Sequence, residues 1–257
     1  MKKHIKKLDF QSTLIIISLL SFFQPGILEF SDISPFFRYI EIILNFVRIL
    51  TTFYCVYQVF RNKMYKDIFY LKKYIMILIL FWASIFFSTL IHQRYSVLSN
   101  VLILSVSAIV LFIYISILCK KNFKKLMKSI FILFGIYLIA NFLTVIFFPN
   151  GLGWSTQPIY FLGIKNSITL PIIFSILFSI IDDYLFFNRI TLKTIFIYII
   201  AILSALLADC STALIIILLS IIILFVFDLM SSKTTYNLSY FYLFYIICFV
   251  IFVLLNV

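Results

Sequence analysis

The sequence predicts an all-α, polytopic integral membrane protein, a helical bundle of about nine transmembrane helices in one domain over residues 1–257. Two observations lead to this fold class. The chain is 64% hydrophobic and only 12% charged, with a mean hydropathy of +1.18, whereas soluble domains are roughly 45–50% apolar and about 25% charged. The apolar residues also fall into runs of about 20, the length that crosses a bilayer as a helix. A soluble enzyme, a secreted disulfide scaffold and a nucleic-acid-binding protein are excluded.

Nine apolar runs are candidate spans. They cover residues 9–28, 36–60, 74–92, 97–119, 129–148, 167–187, 191–208, 212–230 and 238–257. The first is the weakest, because Gln24-Pro25-Gly26 interrupts it. A cleaved signal peptide is the alternative for residues 1–28, but no small-residue cleavage site follows the basic start, which favours an uncleaved span.

The basic residues orient the chain. Most of the 21 Lys and Arg lie at the N-terminus or in the gaps after the second, fourth, sixth and eighth spans. By the positive-inside rule these segments are cytoplasmic, so the N-terminus is inside and the odd-numbered gaps are outside. The net charge of +12 therefore indicates membrane orientation and not nucleic-acid binding. Richness in Ile, Phe, Tyr and Lys favours a bacterial source, so the predicted location is a bacterial plasma membrane.

The second span carries a polar stripe. Its members recur every three or four residues and cover about 80° of the helix surface; they are Arg38, Glu41, Asn45, Arg48 and Thr52. A charge at mid-bilayer costs at least ~2.5–3.5 kcal/mol, so such residues are retained for a reason. One interpretation is an intramembrane ion pair of Glu41 with Arg38 or Arg48. The other, which the net positive charge favours, is an outward-facing cavity that holds an anion such as phosphate.

The longest outer gap lies between the fifth and sixth spans. It begins with a turn signal, Pro149-Asn150-Gly151, and ends with Lys165 and Asn166 just before the sixth helix. A lysine beside a helix N-terminus suits an anion, because the backbone amides there point outward. A plain loop with an N-cap is an equally good interpretation.

Other polar residues are weaker candidates. In the third span Ser84, Ser88 and His92 share a face, with Arg94 just outside; such a face more often joins helices, although His92 could carry a proton. Asp209, in an abrupt outer turn, is either a helix cap or a catalytic base.

Asp182 and Asp183 are interpreted as solvated charges at a helix end, without a role. The four scattered cysteines and two histidines predict neither a disulfide framework nor a metal site.

Two segments resemble the Wzy/O-antigen polymerase–ligase superfamily, in its Gram-positive exopolysaccharide and capsule repeat-unit polymerase branch. The first is residues 141–167, above all Phe147-Phe148-Pro149-Asn150-Gly151 and Phe161-Leu162-Gly163-Ile164-Lys165-Asn166-Ser167. The second is Cys210-Ser211-Thr212-Ala213-Leu214, which looks like that family's entry to a helix. The span spacing is similar to the front portion of the family, so the chain is expected to be an N-terminal portion, truncated at its C-terminus.

The resemblance implies a glycosyltransferase-type polymerase that needs no metal, nucleotide or other cofactor. Its partners would be the lipid bilayer, oligosaccharide repeat units on undecaprenyl pyrophosphate and other polysaccharide-assembly proteins. In that scheme Arg48, Asp209 and His92 are the catalytic candidates. The pyrophosphate- and glycan-binding candidates are Arg38, Glu41, Asn45, Arg94, Lys165 and Asn166. A flippase or transporter of lipid-linked glycan or another anion, and a truncated inactive remnant, are the alternatives.

Overall fold

The fold was analysed in a computed structural model, which describes residues 10–28, 35–61, 63, 70–92, 95–152, 158–164 and 167–231. These residues are predominantly helical. The helices are α1 (Phe10–Phe22), α2 (Pro35–Arg61), α3 (Lys72–Ile91), α4 (Tyr95–Phe147), α5 (Thr169–Phe187), α6 (Leu192–Leu207) and α7 (Ser211–Ser231). Between α4 and α5 lies one antiparallel hairpin of β1 (Ile159–Tyr160) and β2 (Gly163–Ile164).

Four of these helical segments are long and apolar enough to cross a membrane: Pro35–Arg61, Lys72–Ile91, Leu98–Phe147 and Thr169–Phe187. The all-α prediction is confirmed at this level, and the long apolar helices are those of a membrane-embedded protein. Every predicted span up to residue 230 contains helix, and the last one, 238–257, lies outside the described residues.

One predicted boundary is wrong. Helix α1 ends at Phe22 and not at residue 28, because the residue before a proline disfavours helix and Pro25 is followed by glycine. The 13 described residues of α1 extend about 20 Å. In the gap predicted at 120–128, α4 consists of two helices joined across a kink at Asn122, which has φ −142° and ψ 50°. The residues around the kink are helical, since lysine is a good helix former and the segment holds neither Gly nor Pro.

The chain forms two compact units. The first comprises Met1–Gln24 and Tyr39–Ile130, and the second comprises Pro25–Arg38 and Phe131–Val257. In the second unit α5, α6 and α7 contact one another, with Ile173, Leu177 and Ile216 in a shared apolar core. Short connections make neighbouring helices antiparallel, so this three-helix group has two ends.

Hydroxyl groups join the helices of the second unit. Ser175 Oγ donates to the Phe134 carbonyl oxygen at 2.8 Å, and Tyr198 Oη lies 2.9 Å from Ser220 Oγ. Such bonds are typical of helix contacts in membranes, where apolar burial gives no advantage over lipid.

Candidate functional site

The start of α5, which follows the first similar segment, contacts the second similar segment at one end of the second unit, which we call the hairpin end. Here Thr169, at the start of α5, is fully buried, and its Oγ1 lies 3.3 Å from the Sγ of Cys210. Cys210 is also fully buried and immediately precedes α7. The start of α5 and the Cys210 turn, 41 residues apart in the sequence, are therefore in contact.

The outer gap folds against its own unit. Ile159, Tyr160 and Leu162 in the hairpin are each no more than 2% exposed. The Tyr160 hydroxyl donates to the Pro149 carbonyl oxygen at 3.0 Å. The turn predicted at Pro149-Asn150-Gly151 is present, with Gly151 in the left-handed region at φ 86°. The described part of this gap is thus a folded element and not a plain loop.

Two side chains of α4 hold the tip of the hairpin. Asn141 Oδ1 accepts a hydrogen bond from the Leu162 amide at 3.1 Å, and Thr144 Oγ1 accepts one from the Phe161 amide at 3.2 Å. We call Asn141 and Thr144 the clasp. Sequence reasoning placed Asn141 in the similar segment but assigned no role to either residue. The available signal was two polar residues three positions apart near the end of an apolar helix.

The segment after α1 covers the same hairpin tip. The Ile27 amide donates to the Phe161 carbonyl oxygen at 3.2 Å. A Cβ atom on Gly26 would lie only 2.2 Å from the Leu162 carbonyl oxygen. Gly26 is therefore required by a close backbone approach, a role that the sequence showed only as a helix interruption.

Lys165 and Asn166 lie outside the described residues, but their neighbours are well defined. Ser167 donates to the Ile164 carbonyl oxygen from both its amide and its Oγ, each at 2.9 Å. Gly163, at φ 106°, adopts a conformation that favours glycine. A predicted anion-binding pair thus follows a hairpin whose backbone is held on both sides.

Asp209 lies in the turn between α6 and α7, one residue before Cys210. It is exposed, has a left-handed φ of 51° and donates its amide to the Leu206 carbonyl oxygen at 3.0 Å. An exposed carboxylate beside a buried turn is accessible to a substrate. Arg38 also belongs to the second unit, and its side chain is exposed.

Arg48, in the first unit, has the contacts of a structural residue. It is only 9% exposed, and its Nε and Nη2 donate to the Ser21 carbonyl oxygen at 2.9 and 2.6 Å. Ser21 lies in the last turn of α1, where carbonyls lack helical partners and a positive charge is favourable. The guanidinium carbon also lies 5.4 Å from the centre of the Phe22 ring. Arg48 therefore caps α1, and its predicted catalytic role stays a prediction.

Two other residues of the polar stripe are less buried than Arg48. Glu41 and Asn45 are half-buried, and Asn45 Oδ1 accepts a weak hydrogen bond from Gln24 Nε2 at 3.4 Å. Within the described part of the chain, Glu41 makes no salt bridge with Arg48. The ion-pair interpretation of these two residues and the binding roles of Glu41 and Asn45 stay predictions.

The face of α3 with the serines and the histidine is exposed. His92 Nδ1 lies 2.8 Å from the carbonyl oxygen of Ser88, and Ser84 Oγ donates to the Phe81 carbonyl oxygen at 2.7 Å. Both hydroxyl and imidazole groups thus bond within α3. Arg94 lies outside the described residues, so its predicted role beside His92 stays a prediction.

Asp182 and Asp183 are not solvated, which corrects the sequence interpretation. Asp182 is 6% exposed and Asp183 is fully buried. They lie at the end of the three-helix group opposite the hairpin end, where α5 turns into α6. These two carboxylates are buried because hydrogen-bond donors at the start of α6 lie against the end of α5.

These donors surround the Asp183 carboxylate. It accepts hydrogen bonds from the Thr191 amide at 2.7 Å and from Thr194 Oγ1 at 2.6 Å. Lys193 Nζ lies 3.2 Å from Asp183 Oδ1 and also pairs with Asp182. We call this group the carboxylate staple; it fixes the α5–α6 connection and the start of α6.

No known protein family, curated protein or solved structure matches this chain. Its function is therefore argued from its own residues.

Proposed function

We propose that this protein is a polysaccharide repeat-unit polymerase of the bacterial plasma membrane, which transfers glycan from an undecaprenyl-pyrophosphate carrier at the outer face. One observation carries the proposal. Thr169, two residues after the first segment similar to the polymerase superfamily, contacts Cys210, the first residue of the second similar segment, at the hairpin end.

The proposed topology puts the hairpin end outside. This topology has nine spans and a cytoplasmic N-terminus, and it follows from the distribution of Lys and Arg. The opposite end of the three-helix group carries Arg189 and Lys193, whereas the described residues of the hairpin end carry an exposed carboxylate at Asp209.

The chemistry needs one base and a cationic site. The acceptor sugar hydroxyl attacks the anomeric carbon of the donor glycan, and the bond from that carbon to the pyrophosphate oxygen breaks. Asp209, exposed at the hairpin end, takes the hydroxyl proton. Arg38, Lys165 and Asn166 bind the pyrophosphate and stabilise the negative charge that develops on the leaving oxygen.

The candidate residues in the first unit have minor roles in this proposal. His92, with an exposed ring, is the second candidate base. The predicted binding roles of Glu41, Asn45 and Arg94 stay predictions. Arg48 is the weakest of the proposed catalytic residues, because two of its donors are already bound to Ser21.

Glycan length tests the function. A deletion strain should accumulate single repeat units on the lipid carrier at the outer face, and expression of this chain should restore long polymer. Repeat units trapped on the cytoplasmic side would instead identify a transporter. An unchanged length distribution would contradict both functions.

Two substitutions test the site. Asp209→Asn should lower polymerisation by about 10²–10⁴-fold, the usual contribution of general-base catalysis. Lys165→Gln should weaken binding of the lipid carrier, whereas Lys128→Gln, an exposed lysine of α4, is the matched control and should not. Equal activity of Asp209→Asn and the unsubstituted protein would remove Asp209 from the mechanism.

A further inference from the structure

Two lysine-rich segments of the first unit contact each other. Lys120 Nζ lies 4.4 Å from the centre of the Tyr70 ring, within the range of a cation–π interaction. Tyr70 comes two residues before α3, which begins at Lys72, and Lys120 comes two residues before the kink of α4 at Asn122. The contact therefore places the start of α3 beside the kink of α4.

This contact is expected at the boundary of the hydrocarbon core. The segment Lys72–Ile91 is long and apolar enough to cross a membrane, so its first residues mark one surface. The apolar part of α4 begins at Leu98 and extends roughly 30 Å before it reaches Lys120, which is the thickness of the core. Both helices are therefore expected to leave the core at the level of the contact.

Exposed lysines surround the contact. We call them the basic face; they are Lys72, Lys73, Lys120, Lys121 and Lys124. Asp67 is the only acidic residue in the two stretches that supply them, 61–73 and 120–125. One carboxylate cannot neutralise so many ammonium groups, so this part of the chain keeps a large excess of positive charge. The leucines Leu118 and Leu126, on either side of the kink, are buried and fix α4 to its unit.

Exposed tyrosines accompany the lysines. Tyr70, before α3, and Tyr74, in the first turn of α3, are both largely exposed. Tyrosine concentrates at membrane–water interfaces, because its ring contacts lipid while its hydroxyl contacts water. A lipid offers a headgroup to the lysines and acyl chains to the rings, whereas a soluble anion uses only the lysines. The combination favours a lipid.

We propose that the basic face binds the phosphate headgroups of anionic phospholipids in the leaflet that it borders. Clusters of about 4–8 Lys and Arg next to a membrane span bind anionic lipids, and each cation contributes about fivefold in affinity. The positive-inside rule depends only on the number of basic residues, whereas this inference depends on where the fold places them. It goes beyond the proposed function and stands without it, because a lipid site requires no reaction.

Titration with phosphatidylglycerol tests the basic face. The full chain in detergent micelles is titrated with this lipid, and native mass spectrometry gives the dissociation constant of the first bound molecule. Lys120→Gln should raise it about fivefold, and the triple substitution Lys72→Gln, Lys73→Gln and Lys120→Gln should raise it further. Lys120→Arg keeps the charge and should bind like the unsubstituted protein. Arg189→Gln is the control, since this exposed arginine belongs to the second unit.

Two results would overturn the local site. The first is unchanged affinity in the triple variant, and the second is an equal loss in Arg189→Gln and Lys120→Gln, which would indicate net charge alone. Glycerol phosphate tests the source of the anion, because it carries a phosphate without acyl chains. If glycerol phosphate displaces the lipid at equal concentration, the face binds soluble anions and the lipid proposal is wrong.

The unsubstituted protein supplies a second measurement that does not depend on the folding of any variant. Affinity for phosphatidylglycerol should fall as the concentration of ammonium acetate rises, because salt screens exposed charges. Affinity for phosphatidylcholine, whose headgroup has no net charge, should be lower and should stay constant. Binding of phosphatidylglycerol that does not respond to salt would contradict recognition by the lysines.

Discussion

At the scale of single residues, Arg48 shows how a buried charge can be satisfied without a carboxylate. The last turn of a helix presents carbonyls without partners, and a guanidinium has donors in a rigid fork that can bind one of them twice. The 2.9 and 2.6 Å hydrogen bonds from Arg48 to Ser21 thus stabilise α1, which ends inside the first predicted span. This explains a charge in a span without requiring a substrate.

Arg48→Met should therefore destabilise the protein. Hydrogen bonds between helices in membranes contribute ~1–2 kcal/mol, and the Ser21 carbonyl would lose two. The thermal midpoint of the detergent-solubilised protein should fall, with a smaller fall for Arg48→Lys, which keeps one donor. If capping α1 is the whole role of Arg48, polymer made per folded molecule stays constant. A normal midpoint with lost polymerisation would instead place Arg48 at the substrate.

The carboxylate staple makes a second prediction at this scale. Asp183→Ala should lower the free energy of unfolding by about 1–3 kcal/mol, because it leaves buried donors of Thr191 and Thr194 without an acceptor. Asp182→Asn is the matched control at the neighbouring position, where one carboxylate oxygen already has no partner among the described residues. It should cost less. Denaturant titration in mixed micelles measures both, and equal losses would mean that the staple depends on charge alone.

At the scale of elements, the hairpin between α4 and α5 is held from two directions. Asn141 and Thr144 bind its tip from α4, while Gly26 and Ile27 approach it from the segment after α1. Helix α1 must end before Gly26 for this contact to form. The interruption of the first apolar run is therefore a structural requirement of the hairpin.

Gly26→Ala tests this contact. The Cβ added at Gly26 would lie 2.2 Å from the Leu162 carbonyl oxygen. Neither atom can move without its backbone, so the segment after α1 and the hairpin must separate. Faster exchange of the 159–164 amides and a lower thermal midpoint are expected. Gly135→Ala is the control, because nothing lies within 4 Å of its added Cβ; it should be neutral or stabilising by up to ~1 kcal/mol. Normal exchange in Gly26→Ala would show that the approach is not required.

At the scale of the whole molecule, the proposed topology is open to direct test. Pro158→Cys, an exposed position in the gap before the hairpin, should react with a membrane-impermeant maleimide in intact cells. Leu192→Cys, 83% exposed at the start of α6, should react only after permeabilisation. Both are made in a background that lacks the native cysteines. The reverse pattern would invert the topology and place the hairpin end in the cytoplasm.

The sequence by itself determined the fold class, because composition and the period of apolar runs depend on the solvent and not on tertiary contacts. It located the helices at 36–60, 74–92 and 191–208 to within a few residues, since lipid requires continuous apolar helix there. It also located the turn at Pro149-Asn150-Gly151. These features are local, and local residue chemistry is sufficient to predict them.

Only the tertiary structure decided which polar residues are partners. Asp183 resembled a solvated helix end, but the start of α6 places hydrogen-bond donors around it. Nothing in the sequence indicated that Arg48 bonds the last turn of α1. The clasp could not be predicted, because its acceptors and amides lie 17 to 21 residues apart. Hydrogen bonds between segments distant in sequence leave no periodic signal, so only the packed chain identifies them.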